Sequence, residues 1–143
     1  MESTKKQKSV YVVEDDIEML SIIDRILKSI DPEIALDWST NAEEAIQKIK
    51  KFIKKGLKKP YQLIITDVLL DGSKTGIDFW KFCFQNYKNI PIVLTSSTHK
   101  DILFPNGVPD HIVFLQKPFS ITDCKKLLKN ILTSNNEYSA QIN

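Results

Sequence analysis

Apolar residues in this chain follow two rhythms. Short runs of four to six, rich in Val and Ile, alternate with longer stretches where apolar residues return every three or four positions. Continuous short runs predict strands buried on both faces, and the 3.6-residue rhythm predicts amphipathic helices. Residues 9–13 form the first strand. Ile17, Leu20, Ile23, Ile26, Leu27 and Ile30 then mark a helix that stops before Asp31-Pro32. Residues 34–38 alternate as a short second strand. Thr40 or Asn41 can cap the next helix, whose stripe is Ala42, Ala45, Ile46, Ile49, Phe52 and Ile53, with Gly56 as its stop. A third strand, residues 62–67, ends on Asp67. A loop over residues 71–76 leads into an aromatic-rich helix over residues 77–87. A fourth strand, residues 90–94, runs into Thr95-Ser96-Ser97-Thr98. Pro105, Gly107 and Pro109 allow only a short helix between His99 and His111. A fifth strand ends at Gln116. Ser120-Ile121-Thr122-Asp123 then starts a last helix with the stripe Cys124, Leu127, Leu128, Ile131 and Leu132.

Five strands alternating with helices predict an α/β fold with a parallel sheet covered on both faces. At 143 residues, one domain with the doubly wound, flavodoxin-like order 2-1-3-4-5 is the natural arrangement. Residues 9–133 make up that domain. Residues 1–8 are expected to be a disordered tail and 134–143 a polar tail. Net charge is +2, which gives no global reason for nucleic-acid or membrane binding. Seven lysines between positions 48 and 59 form the one charge cluster, read as a solvated helix face. The two cysteines, Cys83 and Cys124, lie in apolar helical settings and are expected to be buried free thiols. No signal core or spanning run is present, so a cytoplasmic setting is expected.

The chemistry collects at strand ends. Three strands end in charge: the first at Glu14-Asp15-Asp16, the third at Asp67, the fifth at Lys117. In the order 2-1-3-4-5 the first and third strands are neighbours, which sets Glu14 and Asp15 beside Asp67. Three carboxylates at one edge repel one another, and an all-oxygen set suits a hard cation, Mg²⁺ or Mn²⁺. Lys117 and a hydroxyl, Thr95 or Ser96, complete a cradle for a phosphoryl group, with Asp67 as nucleophile. Asp16 is expected at the rim or the start of the first helix.

Val13-Glu14-Asp15-Asp16, Ile65-Thr66-Asp67, Leu94-Thr95-Ser96 and Lys117-Pro118-Phe119 together resemble the receiver domain of bacterial two-component response regulators. The resemblance runs from about Ser9 to about Leu132. It implies Asp67 as phospho-acceptor and Glu14 and Asp15 as metal-binding acids. It adds the backbone carbonyl of Leu69 as a further metal ligand, Lys117 as the phosphoryl contact and a cis Lys117-Pro118 peptide. It also implies a switch that couples the hydroxyl to Phe114. The Leu-Thr-Ser-Ser pattern and the distance to Lys117 select Thr95, whereas counting from Pro91 favours Ser96. Asp71 stands where receivers often carry proline, and the loop to Gly76 is about one residue longer than is usual in receivers.

The resemblance implies a single-domain switch in a two-component or phosphorelay pathway, since few residues follow Leu132. Its donor would be a sensor histidine kinase or histidine phosphotransfer protein, and it would act as a monomer or weak dimer. It would catalyse only its own phosphorylation and dephosphorylation and would act through protein contacts, with no nucleic-acid or membrane partner. The alternatives are a phosphorylation-independent docking module and a small Mg²⁺-dependent phosphohydrolase. Val68 and Leu69 after Asp67, and the lack of room for a cap domain, argue against the latter.

Overall fold

A computed structural model describes residues 8–142, with side chains for 8–134. The expected tail over residues 1–8 falls almost wholly outside the described residues. Ten elements alternate: β1 (Ser9–Val13), α1 (Ile17–Ile30), β2 (Ala35–Ser39), α2 (Ala42–Lys54), β3 (Leu63–Asp67), α3 (Gly76–Asn86), β4 (Ile92–Ser96), α4 (Lys100–Leu103), β5 (Ile112–Gln116) and α5 (Ile121–Ile142). The strands form one parallel sheet in the order β2-β1-β3-β4-β5. This is the flavodoxin-like arrangement that the alternating rhythms predict.

Strand alternation divides the core in two. Val10, Val12, Leu63, Ile65 and Val93 pack against Leu20, Ile23 and Leu27 of α1 and Cys124 and Leu128 of α5. Tyr11, Val13, Ile64, Ile92 and Leu94 face Ala45, Ile46 and Ile49 of α2 and Phe79, Trp80 and Cys83 of α3. Full burial of each such Val, Ile or Leu is worth about 1.5–3 kcal/mol, so the central strands anchor the fold. Both cysteines are free and buried. Phe79, Trp80 and Tyr87 are buried, and half-buried Phe84 stacks on His111, so the aromatic helix is largely covered.

The helix ends follow local chemistry. Asp16 caps α1, its side chain accepting from the Glu18 and Met19 amides. Asn41, not Thr40, caps α2. Beyond α2, Gly56 takes φ +74°, its N–H bonds to the Ile53 carbonyl, and the Leu57 N–H bonds to Phe52. This paired closure needs a left-handed residue, which explains the glycine there. Thr75 and Asp78 form a reciprocal capping box on α3. The prolines restrict α4 to four residues, with His99 as its cap.

Several element ends shift by one or two residues from the sequence expectation, β4 starting at Ile92 and not at 90, and two extensions stand out. β4 extends to Ser96, because pairing with β5 carries the ladder past the apolar run. α5 extends to Ile142, beyond the expected boundary at 133. No Pro or Gly follows Leu132 to stop the helix.

Candidate phosphoryl-acceptor site

Parallel strands deliver their last residues to the same edge of the sheet. β1, β3 and β5 here deliver Glu14, Asp67 and Lys117. One carboxylate oxygen from each of Glu14, Asp15 and Asp67 lies within 4.8 Å of the others. The Lys117 Nζ sits 2.7 Å from Glu14 Oε1 and 3.2 Å from Asp67 Oδ2. Glu14 is only 2% exposed. Its amide bonds to the Ser39 carbonyl at 3.0 Å, which extends the β1–β2 pairing by one residue and fixes its position. Its second oxygen, Oε2, accepts from the Asp16 amide at 3.3 Å. Asp16 itself is occupied as the α1 cap.

One ammonium thus serves two acids, Glu14 buried and Asp67 half-buried. Burial raises the Glu14 carboxyl to about 7, against the opposing pull of Lys117. Burial also raises Asp67 above the ordinary carboxylate range, with Lys117 again opposing. Burial would lower the Lys117 ammonium, but Glu14 and Asp67 together hold it above its usual value. Negative charge here is under-compensated, and an all-oxygen cluster of this kind suits a hard divalent ion.

The edge is braced by residues that sequence reasoning passed over. The Gln116 amide donates to the carbonyls of Ser96, Ser97 and Lys117, at 3.0, 3.0 and 3.1 Å. It ties the end of β4 to the turn that carries Lys117. Its signal was a lone polar residue closing an apolar strand. The Lys117–Pro118 peptide is cis. Gly76 opens α3 with its N–H on the Val68 carbonyl, and a Cβ there would lie 1.8 Å from the Asp67 carbonyl oxygen. Only glycine fits so close to the end of β3. Glu43, in the first turn of α2, accepts from the Ser73 amide and hydroxyl and the Lys74 amide at 2.8–3.0 Å. It secures the long loop that follows Asp67.

The two candidate hydroxyls sit on opposite faces of β4. Thr95 is buried and pairs directly with Asp67 across β3–β4. Phe114 pairs with Leu94, and both belong to the α2/α3 side of the core. Alternation therefore puts Ser96, not Thr95, on the face of Phe114. The expected coupling of Thr95 with Phe114 joins residues on opposite faces. The Ser96 Oγ accepts from the Thr98 amide at 3.0 Å. Phe114 meets Phe104 edge-on, at 6.5 Å between ring centroids. Leu69 lies in the loop after β3 with an exposed side chain.

A doubly wound sheet with acids at the carboxyl ends of adjacent β1 and β3 and a lysine after β5 defines an open α/β fold with a charged crevice at its topological switch point. Within that class, the response regulator receiver domain family matches residues 10–129. The chain belongs to that family. Solved structures agree on the fold. A response regulator receiver protein from Sinorhizobium medicae is 20% identical, with TM-score 0.72, covering 91% of this chain and 98% of that one. The signal receiver domain of an HD domain-containing protein from Pseudomonas fluorescens is 15% identical, with TM-score 0.77 and coverage of 98% and 97%. A putative response regulator from Chloroflexus aurantiacus is 25% identical, with TM-score 0.68 and coverage of 90% and 99%. No curated protein matched in sequence.

Proposed function

We propose that this receiver accepts a phosphoryl group on Asp67 from a phosphohistidine donor, in a sensor histidine kinase or a histidine phosphotransfer protein. The observation that carries this reading is the Lys117 ammonium held between Glu14 and Asp67 at the mouth of a three-carboxylate cluster. An Asp67 carboxylate oxygen attacks phosphorus, the P–N bond breaks, and the imidazole leaves with the bond's electron pair. Lys117 leaves its ion pair with Asp67 and neutralises a phosphoryl oxygen. Thr95 or Ser96 donates a hydrogen bond to another. Glu14, Asp15 and Asp67, with the Leu69 carbonyl, are the groups that would hold Mg²⁺ or Mn²⁺. Such an ion supplies charge neutralisation to the phosphoryl oxygens.

The chain then signals by protein contacts or by passing the phosphoryl group onward, and it hydrolyses its own acyl phosphate without turning over another substrate. No helix among the described residues is long and apolar enough to cross a membrane. Incubation with acetyl phosphate and Mg²⁺, followed by intact-mass measurement, should add one phosphoryl group to the parent and none to Asp67→Asn. Equal labelling of both proteins would remove Asp67 from the role.

A further inference from the structure

The lysine cluster takes no part in this chemistry. Seven of the chain's 20 basic residues and none of its 18 acids lie between Ala45 and Thr66. The remaining residues carry 13 basic against 18 acidic groups, so the near-neutral total hides a segregation of charge. The lysine cluster has a direction, although Asp31, Glu33 and Asp110 stand in loops that enter β2 and β5 at the same pole. α2 runs antiparallel to the strands, so its carboxyl end lies at the opposite pole from Asp67. Lys48 is engaged there by Asp37 at 2.7 Å, whereas Lys50, Lys51, Lys54, Lys55 and Lys58 are exposed.

Two apolar side chains sit among these lysines. Ile53 is 39% exposed and Leu57 45%. Leu57 follows the left-handed Gly56 turn, and the Tyr87 hydroxyl donates to its carbonyl at 2.6 Å. The Asn89 side chain donates to the Lys58 carbonyl at 3.3 Å. The tip therefore holds two exposed apolar side chains on a tethered turn flanked in sequence by exposed lysines.

We propose that this tip, the carboxyl end of α2 with residues 56–58, docks on an anionic phospholipid surface and turns the acidic phosphoryl site toward solvent. A solvated lysine face needs no exposed Ile and Leu at its centre. A lipid interface uses both features: headgroups attract the lysines, and the apolar side chains enter the headgroup boundary. Duplex DNA would use the lysines alone, and no arginine occurs in the cluster to read bases. The acidic cluster at the far pole would be repelled by the same surface, which sets the orientation. The proposal is independent of whether Asp67 is phosphorylated.

The test is cosedimentation of the full chain with vesicles, of phosphatidylcholine alone or with about a third phosphatidylglycerol, at low and physiological salt. Each lysine near such a surface contributes about fivefold in binding. Binding is expected only on the anionic vesicles, falling at least tenfold in Lys51→Gln/Lys54→Gln/Lys55→Gln/Lys58→Gln. It should fall several-fold in Leu57→Ser and in Ile53→Ser, with circular dichroism confirming that each variant is folded. Binding that ignores the anionic lipid, or that survives both apolar substitutions unchanged, overturns the proposal. So does preferential binding of a duplex oligonucleotide with loss in the lysine variant alone, which would assign the pole to nucleic acid.

Discussion

The two poles of the sheet use charge in opposite ways. At the carboxyl ends of the strands, Glu14 and Asp67 share one half-buried lysine beside Asp15, and burial raises the pKa of both Glu14 and Asp67. At the amino ends, lysines around the α2 terminus stand in water, and the helix closes through a relaxed glycine turn. Charge in water costs little, whereas charge under protein costs stability unless it is compensated. The first pole therefore gives up stability for a site that a cation and a phosphoryl group can satisfy. The second does not. This contrast can be broken at three places, and the expected effects descend in size.

The largest effect lies where backbone meets backbone. A Cβ at Gly76 would meet the Asp67 carbonyl oxygen at 1.8 Å, and neither group belongs to a flexible side chain. Gly76→Ala should cost about 3–5 kcal/mol in urea unfolding, the range of severe core defects. Gly56→Ala, at the opposite pole, meets nothing within 4 Å and is penalised only for its φ of +74°. It should cost about 1 kcal/mol. Similar losses for the two would show that the acceptor strand yields where the structure shows it packed.

The second effect is electrostatic. In the protein without divalent ion, Glu14 rises from an ordinary 4.5 to about 7. Below about pH 4.5 it is protonated in both folded and unfolded chains. Between there and about 7 the folded chain binds more protons, so unfolding free energy falls as pH rises. Above 7 the loss is complete. At about 1.4 kcal/mol per unit, its ceiling is about 3 kcal/mol, and the raised Asp67 acts in the same direction. Denaturant midpoints from pH 5 to pH 8 should therefore decline. Glu14→Gln should flatten the decline. Lys117→Met should steepen it, because two acids would then face each other unpaired. A midpoint that rises across this window would contradict the burial argument.

The double variant Glu14→Gln/Asp15→Asn tests the same pole from the ligand side. It should be more stable than the parent without metal, by about 1–2 kcal/mol at pH 8. Its Mg²⁺ affinity should fall more than about 100-fold, beyond the loss from removing a supporting group. Calorimetry would measure both quantities. Unchanged affinity would show that these acids are not the ligands.

What could be read from the sequence follows the same division. Strand ends and helix stripes are short-range patterns, so the sheet order and the meeting of Glu14, Asp15, Asp67 and Lys117 were legible. Asn41 over Thr40 was not, because both residues can cap and only the path of the chain chooses. Gln116 and Glu43 act across turns, on carbonyls and amides whose positions no local pattern gives. The hydroxyl was ambiguous because spacing counts residues but does not fix the face. Register decided that Thr95 opposes Asp67 while Ser96 shares a side with Phe114. The length of α5 was missed because polar composition does not itself end a helix and no stop residue follows Leu132.

The smallest expected effect is at the lysine pole, and its smallness carries the point. Lys51, Lys54 and Lys55 are exposed, and no salt bridge among the described residues involves them. Lys51 and Lys54 lie in the last turn of α2, where positive charge interacts favourably with the helix dipole. Their removal should therefore cost a few tenths of a kcal/mol, partly offset by relief of repulsion among neighbouring lysines. Lys51→Gln/Lys55→Gln should shift stability by no more than about 0.5 kcal/mol, as exposed substitutions usually do. The shift should shrink further in 0.5 M salt, where the screening length is well under 10 Å. Lys117→Met, one charge removed at the other pole, should exceed it several-fold at pH 8. If the two variants were equally costly, the acids around Lys117 would be as well hydrated as the lysines of α2, and the distinction between the poles would fail.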